Sequence, residues 1–317
     1  MQRLRIAAVQ AAPVWMERDA TIAKVCRLVE EAARGGASLV AFSETFVPGY
    51  PWWASVDRLD LARLEVVTQR QAIYLRNGVD LARGDLDPVV ETARRTGCFV
   101  VLGVAELAPT GGSVYCSLVM IDPGRGIVGV HRKLKPTFTE RAVWADGDAH
   151  GLHVHAFSDW RIGGLNCWEN WLPLPKFALY AEGEQLHVAT WPGGRAMARD
   201  ATRLVAMEGG VFAIAVCGLF APALVPDDFP EARALRAAIA APGLGDGGTL
   251  VVDPDGGVIA EAKPHAEEIL FAELDRDLAL AARALRDPGG HYHRPDLFSL
   301  RIDRRRLRAI DVRGEDG

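Results

Sequence analysis

The chain of 317 residues carries 36 Lys and Arg against 41 Asp and Glu, a formal charge of −5 with His neutral, and 49% of its residues are hydrophobic. That composition excludes a mainly disordered chain, and the mild acidity, with the main basic run confined to Arg301 to Arg308, argues against nucleic acid as a partner. Five scattered cysteines (Cys26, Cys98, Cys116, Cys167, Cys217) without a C-x-x-C pair speak against a disulfide framework or a structural zinc site. No signal-like start or membrane-length apolar run is present, so a cytoplasmic protein that handles a small molecule is expected.

In chain order, the pattern predicts a strand at Ile6 to Val9 and then a helix over Asp19 to Arg34. In that helix Ile22, Val25, Cys26, Val29 and Ala33 recur at three and four residues, with Asp19 as cap and Gly35-Gly36 as stop. A strand follows at Ser38 to Phe42, then helices over Leu59 to Leu81 and Pro88 to Thr96, and strands at Cys98 to Val104, Tyr115 to Ile121 and Ile127 to Val130. The second half predicts helix Trp171 to Ala181, strand Leu186 to Ala189, helix Met197 to Gly209, strand Val211 to Val216 and helix Pro230 to Ala240. Strands Thr249 to Val252 and Ile269 to Ala272 and a last helix, Leu278 to Arg286, complete it. The turn sequences Asp122 to Gly126 and Asp253 to Gly257 imply antiparallel hairpins, hence mixed sheet with interspersed helices. No linker divides two cores, so one α/β domain over 1–300 with a separable tail, 301–317, is expected.

Three segments can carry chemistry. A strand-like run ends at Cys167 shortly before a helix; a thiol at such a turn gains thiolate character and an oxyanion site from free backbone N–H groups, although a buried structural cysteine looks the same in sequence. Glu44 ends an apolar strand before a Pro/Gly turn and could act as a general base or serve only as a turn residue. Lys133, in a charged run after a third strand, could stabilise an anionic intermediate or lie in a solvated loop. The Gly243-x-Gly245-x-x-Gly248 pattern precedes a strand rather than opening a helix, which speaks against a dinucleotide site. The pairs His153/His155 and His291/His293 have no third ligand nearby, so neither a cofactor nor a metal is expected.

Taken together, Ser43-Glu44-Thr45-Phe46-Val47-Pro48-Gly49-Tyr50-Pro51, His131-Arg132-Lys133-Leu134-Lys135-Pro136-Thr137 with Glu140-Arg141, and Asn166-Cys167-Trp168-Glu169-Asn170 resemble the nitrilase branch of the carbon–nitrogen hydrolase superfamily. His187 to Pro192, Glu208-Gly209, Gly247-Gly248-Thr249 and Gly290 to Asp296 extend the likeness to about Leu300. The resemblance implies a single-domain four-layer α-β-β-α sandwich and a Glu44–Lys133–Cys167 triad, with Glu140 as a second glutamate near the site. It further implies hydrolysis of organic nitriles to the acid and ammonia through a covalent cysteine intermediate, without a cofactor. Amidase, carbamoylase and cyanide-degrading members are the alternatives within the superfamily, and a non-catalytic scaffold of the same fold is the alternative outside it. Tyr50, Trp53, Phe138, Trp168 and Trp191 are the expected pocket walls, each of which could equally be core. Self-association is implied as well, although the tail is shorter than in many microbial nitrilases, which form spirals.

Overall fold

The computed structural model describes residues 2–56, 63–240, 243–308 and 310. The chain begins with β1 (Arg3–Gln10), α1 (Arg18–Arg34) and β2 (Leu39–Ala41), followed by the short α2 (Trp53–Val56), α3 (Leu64–Arg76) and α4 (Asp87–Thr96). An antiparallel run, β3 (Phe99–Leu107), β4 (Val114–Asp122) and β5 (Gly126–Arg132), closes the first half. The second half holds β6 (His155–Phe157), β7 (Trp160–Asn166), α5 (Pro173–Ala181), β8 (Leu186–Trp191), α6 (Arg195–Gly209) and β9 (Phe212–Cys217). It ends with α7 (Ala232–Ile239), β10 (Leu250–Val252), β11 (Val258–Glu261), β12 (Glu268–Asp275) and α8 (Arg276–Leu285).

These strands form two six-stranded mixed sheets, ordered β12-β1-β2-β3-β4-β5 and β11-β10-β9-β8-β7-β6. Side-chain alternation explains how the sheets stack. In β1, Leu4, Ile6 and Ala8 face the second sheet and share a core with Trp160, Ile162, Val188 and Ile214, while Ala7 and Val9 face the α1 residues Ile22, Val25 and Val29. On the far side, Ala189, Ala213 and Ala215 are small enough for α6 to approach through Ala198, Ala201 and Val205. The result is the expected α-β-β-α sandwich. Because both faces of the central strands are buried, they read in the sequence as continuous apolar runs, and each fully buried Val, Leu or Ile contributes about 1.5–3 kcal/mol.

Both hairpin turns form as expected, joining β4 to β5 and β10 to β11. Elsewhere the structure corrects the sequence reading. Glu17, not Asp19, is the N-cap of α1, since Asp19 lies within the first turn and accepts from Arg18 at 2.8 Å. The start of the helix expected over Leu59 to Leu81 lies outside the described residues, and its end comes at Arg76. Beyond it, Val79 bonds to Ala105 O at 2.7 Å and accepts from Leu107 N–H at 2.8 Å, so sheet pairing outcompetes helix propagation. The helix expected from Trp171 begins at Pro173, the preceding residues forming a tight 3₁₀ turn from Cys167 to Trp171. β6 was hidden by its brevity.

Within the tail, Arg304, Arg306 and Leu307 lie against the domain. Arg306 bonds to Asp148 and to Val130 O at 3.0 and 3.1 Å, Leu307 N–H donates to Asp148 at 3.0 Å, and Arg304 pairs with Glu182. His155 lies in β6 under Gly129, and burial, then the neighbouring His153 and Arg125, lower it to about 4, whereas His153 faces Glu182 at 3.4 Å. No helix among the described residues is long and apolar enough to cross a membrane.

Candidate active site

Three strand ends converge on one cluster. Lys133 directly follows β5, Cys167 directly follows β7, and Glu44 lies just beyond β2, so the carboxyl ends of these strands deliver all three groups, as is usual for ligand sites in α/β sheets. Lys133 Nζ donates to Glu44 Oε1 at 2.8 Å and to Glu140 Oε2 at 2.7 Å, with both carboxylates and the ammonium almost fully buried. Glu140 is held from two further sides, by Tyr50 OH at 2.8 Å and by Thr137 N–H at 2.7 Å, the latter as half of a capping box that starts the turn carrying it. The Trp144 ring lies 5.3 Å from Lys133 Nζ and adds a cation–π contact. One oxygen of each carboxylate and the Cys167 sulfur lie within 4.8 Å of one another. This is the one trio among the described residues that could hold a metal ion, and the Lys133 ammonium already bridges its two carboxylates.

Burial dominates the protonation chemistry. It raises Glu44 to about 7, Lys133 lowering and Glu140 further raising it. Burial also pushes the Cys167 thiol well above its ordinary value, Glu44 adding to that, while Lys133 and the Trp168 backbone N–H oppose it. For Lys133, burial alone would lower the ammonium, but Glu44, Cys167 and Glu140 raise it well above the usual lysine range. The pair is thus a neutral thiol near a carboxyl group that changes charge around neutral pH. Glu44 Oε2 has no hydrogen-bond partner, which leaves it free as an acceptor.

The backbone around these groups is strained. Cys167, Thr45 and Phe138 occupy the left-handed region at φ 48°, 41° and 42°, a conformation that costs a non-glycine residue about 1–3 kcal/mol and concentrates at functional sites. At Cys167 the turn is held by Asn170 Nδ2, which donates to Cys167 O at 2.8 Å and Leu165 O at 3.3 Å. The Asn170 carbonyl in turn accepts from His187 Nε2 at 2.8 Å, and His187 Nδ1 meets Glu184 at 2.9 Å.

Of the expected pocket walls, Tyr50 is in place on Glu140. Trp191 is buried in the cluster that includes Cys167, and Trp168, next to the cysteine, is half-exposed. Trp53 and Phe138 are not brought to the site. Trp53 packs between Trp15, Tyr74 and Phe229 in the core, and Phe138, at φ 42°, is 80% exposed. Trp52, stacked on Phe220 at 5.3 Å, lines the cleft beside Glu44 with Pro13, Phe46, Pro192 and Leu219. The sequence reading also missed Cys116, on β4, whose thiol donates to Glu44 Oε1 at 3.4 Å. No sequence signal could have found a contact made only when β2, β3 and β4 line up side by side in the sheet.

With this geometry in place, comparison with known proteins gives a consistent picture. Residues 5–284 match the carbon–nitrogen hydrolase family model. An aliphatic nitrilase of Rhodococcus rhodochrous is 37% identical over 99% of this chain and 83% of its own length, and an arylacetonitrilase of Aspergillus niger is 32% identical over 96% and 90%. The crystal structure of a carbon–nitrogen hydrolase from Helicobacter pylori superposes with a TM-score of 0.68 at 20% identity, covering 94% of this chain and 97% of that one. The chain belongs to the carbon–nitrogen hydrolase family.

Proposed function

We propose that the protein is a nitrilase, converting an organic nitrile and two waters into a carboxylic acid and ammonia through Cys167. The observation that carries the reading is the cluster itself, a cysteine on a strained turn whose sulfur lies within 4.8 Å of two carboxylate oxygens bridged by a buried lysine. Relatives named as aliphatic nitrilase, nitrilase and arylacetonitrilase, matched over nearly the whole chain, support the nitrile as substrate class.

In this mechanism Glu44 takes the thiol proton as sulfur attacks the nitrile carbon, and that proton passes to the nitrogen to leave a thioimidate. Lys133 and the Trp168 N–H stabilise charge on nitrogen and later on oxygen, in a site where burial strengthens each hydrogen bond. Water activated by Glu44 adds, the C–N bond breaks, and ammonia leaves a thioester. A second water releases the acid and restores the thiol. Glu140 fixes Lys133 between the two carboxylates. The five cysteines are all unpaired, which fits a cytoplasmic enzyme, and we take it to work as a homo-oligomer on a small-molecule nitrile, without nucleic acid or membrane partners.

Release of ammonia, acid and amide from a panel of aliphatic, aromatic and arylacetic nitriles, amides, N-carbamoyl amino acids and cyanide tests the reading, with Cys167→Ala as control. Acid and ammonia from a nitrile, lost in the variant, are the expected result. Turnover of amides or carbamoyl compounds alone, or activity that survives in Cys167→Ala, would overturn it.

A further inference from the structure

Lys133 and Cys167 reach the site on different sheets, and the two sheets meet through apolar side chains, whose attraction is non-directional. Something directional has to set one strand end against the other. We propose that Glu169 is the positioning residue that does so; its kinetic consequence rests on the nitrilase reading, its geometry does not.

The Glu169 carboxylate spans the gap. Oε1 accepts from the Leu134 N–H at 2.8 Å, and Oε2 accepts from the Asn166 N–H at 3.0 Å. Leu134 is the residue after Lys133, and Asn166 is the residue before Cys167, so one planar group joins the backbones on which both reactive side chains sit. His131 Nε2, from β5, which ends just before Lys133, lies 3.2 and 3.1 Å from the two oxygens and fixes the plane of the carboxylate.

The side chain is 1% exposed, and every neighbour it meets is a donor. Burial alone would raise it, but His131 and the two backbone N–H groups bring it below the ordinary glutamate value, so it stays ionised and has no proton to exchange. The capping box of the Cys167 turn accounts only for the bond from Asn166; the bonds from Leu134 and His131 are not needed by that turn. The chemistry also accounts for the residue type. Glutamine would set its amide N–H against one of the two backbone N–H groups, and aspartate, one methylene shorter, would not reach both.

The test compares Glu169→Gln and Glu169→Asp with wild type. The readouts are the melting temperature, nitrile kcat and KM, the pH limb near 7, and the rate at which iodoacetamide alkylates Cys167, followed by peptide mass spectrometry. We expect folded variants whose kcat falls about 100-fold, the cost of roughly an ångström of misplacement, with KM within about 3-fold and the acid limb unmoved. Alkylation of Cys167 slows about 10-fold as the sulfur loses its alignment with Lys133. Folded Glu169→Gln with kcat and alkylation within about 2-fold of wild type would overturn the proposal. So would full activity in Glu169→Asp, because charge alone would then suffice. If Glu169→Gln does not fold, Glu169→Asp decides. If wild type hydrolyses no nitrile, the function fails, and the alkylation rates still decide the positioning role.

Discussion

The two sheets contribute to the site in different ways. The first sheet delivers Glu44 and Lys133, with Glu140 on the turn that follows, and holds them by charge: one ammonium between two buried carboxylates, with Tyr50 and Cys116 as further donors. The second sheet delivers Cys167 and holds it by backbone geometry, a left-handed turn pinned by Asn170, His187 and Glu169. Substitutions on the first half should therefore move protonation states, whereas those on the second should change turnover at fixed pH dependence.

The sharpest way to break that contrast is Lys133→Met. It removes the one hydrogen-bond partner that Glu44 and Glu140 share among the described residues and strands two buried carboxylates, a loss of about 3–5 kcal/mol if neither is neutralised. Activity should fall about 10³-fold, and the melting temperature should drop, more so at pH 8 than at pH 6, where one carboxyl can take a proton. Steady-state kinetics and thermal melts at both pH values check this, and retention of a tenth of the activity would sink the assignment.

Gly103→Ala probes whether the charged half also depends on close backbone packing. An added Cβ at Gly103, in β3, would lie 2.2 Å from Ser43 O, 2.6 Å from Thr45 N and 2.9 Å from Glu44 Cα, all backbone atoms. Glu44 must shift, and kcat should fall about 100-fold with the fold retained. Unchanged kcat in a folded variant would show that the position of Glu44 tolerates this displacement.

Two milder variants should move the pH profile in opposite directions. With Glu44 at about 7, kcat/KM declines as pH falls through that value, because the protonated carboxyl cannot accept the thiol proton. Glu140→Gln removes a like charge that raises Glu44, so the limb moves to lower pH. Cys116→Ala removes a donor that lowers it, so the limb moves to higher pH. Limbs that moved together, or not at all, would reassign the titrating group.

The same contrast governs what could be read in advance. Helix α1 was legible because an amphipathic stripe is a local property, and its stop was legible because Gly36 takes φ 84°. Glu44, Lys133, Glu140 and Cys167 were legible because each ends a strand pattern or follows one, in motifs shared with a known family. Trp53 and Trp52 were not distinguishable, since adjacent residues point to opposite sides and nothing local says which side is the cleft. The helix beyond Arg76 was misread because its periodic pattern continued while Val79 found sheet partners far away in sequence.

The amino-acid sequence by itself determined the family and, through that resemblance, the sandwich class and the candidate site residues, because motif chemistry is written in consecutive residues. Tertiary structure alone decided which thiol touches Glu44, where the tail lies and that Glu169 joins the two sheets. Each of these is a contact between segments brought together only when both sheets are formed and stacked, and hydrogen-bond geometry of that kind has no period along the chain.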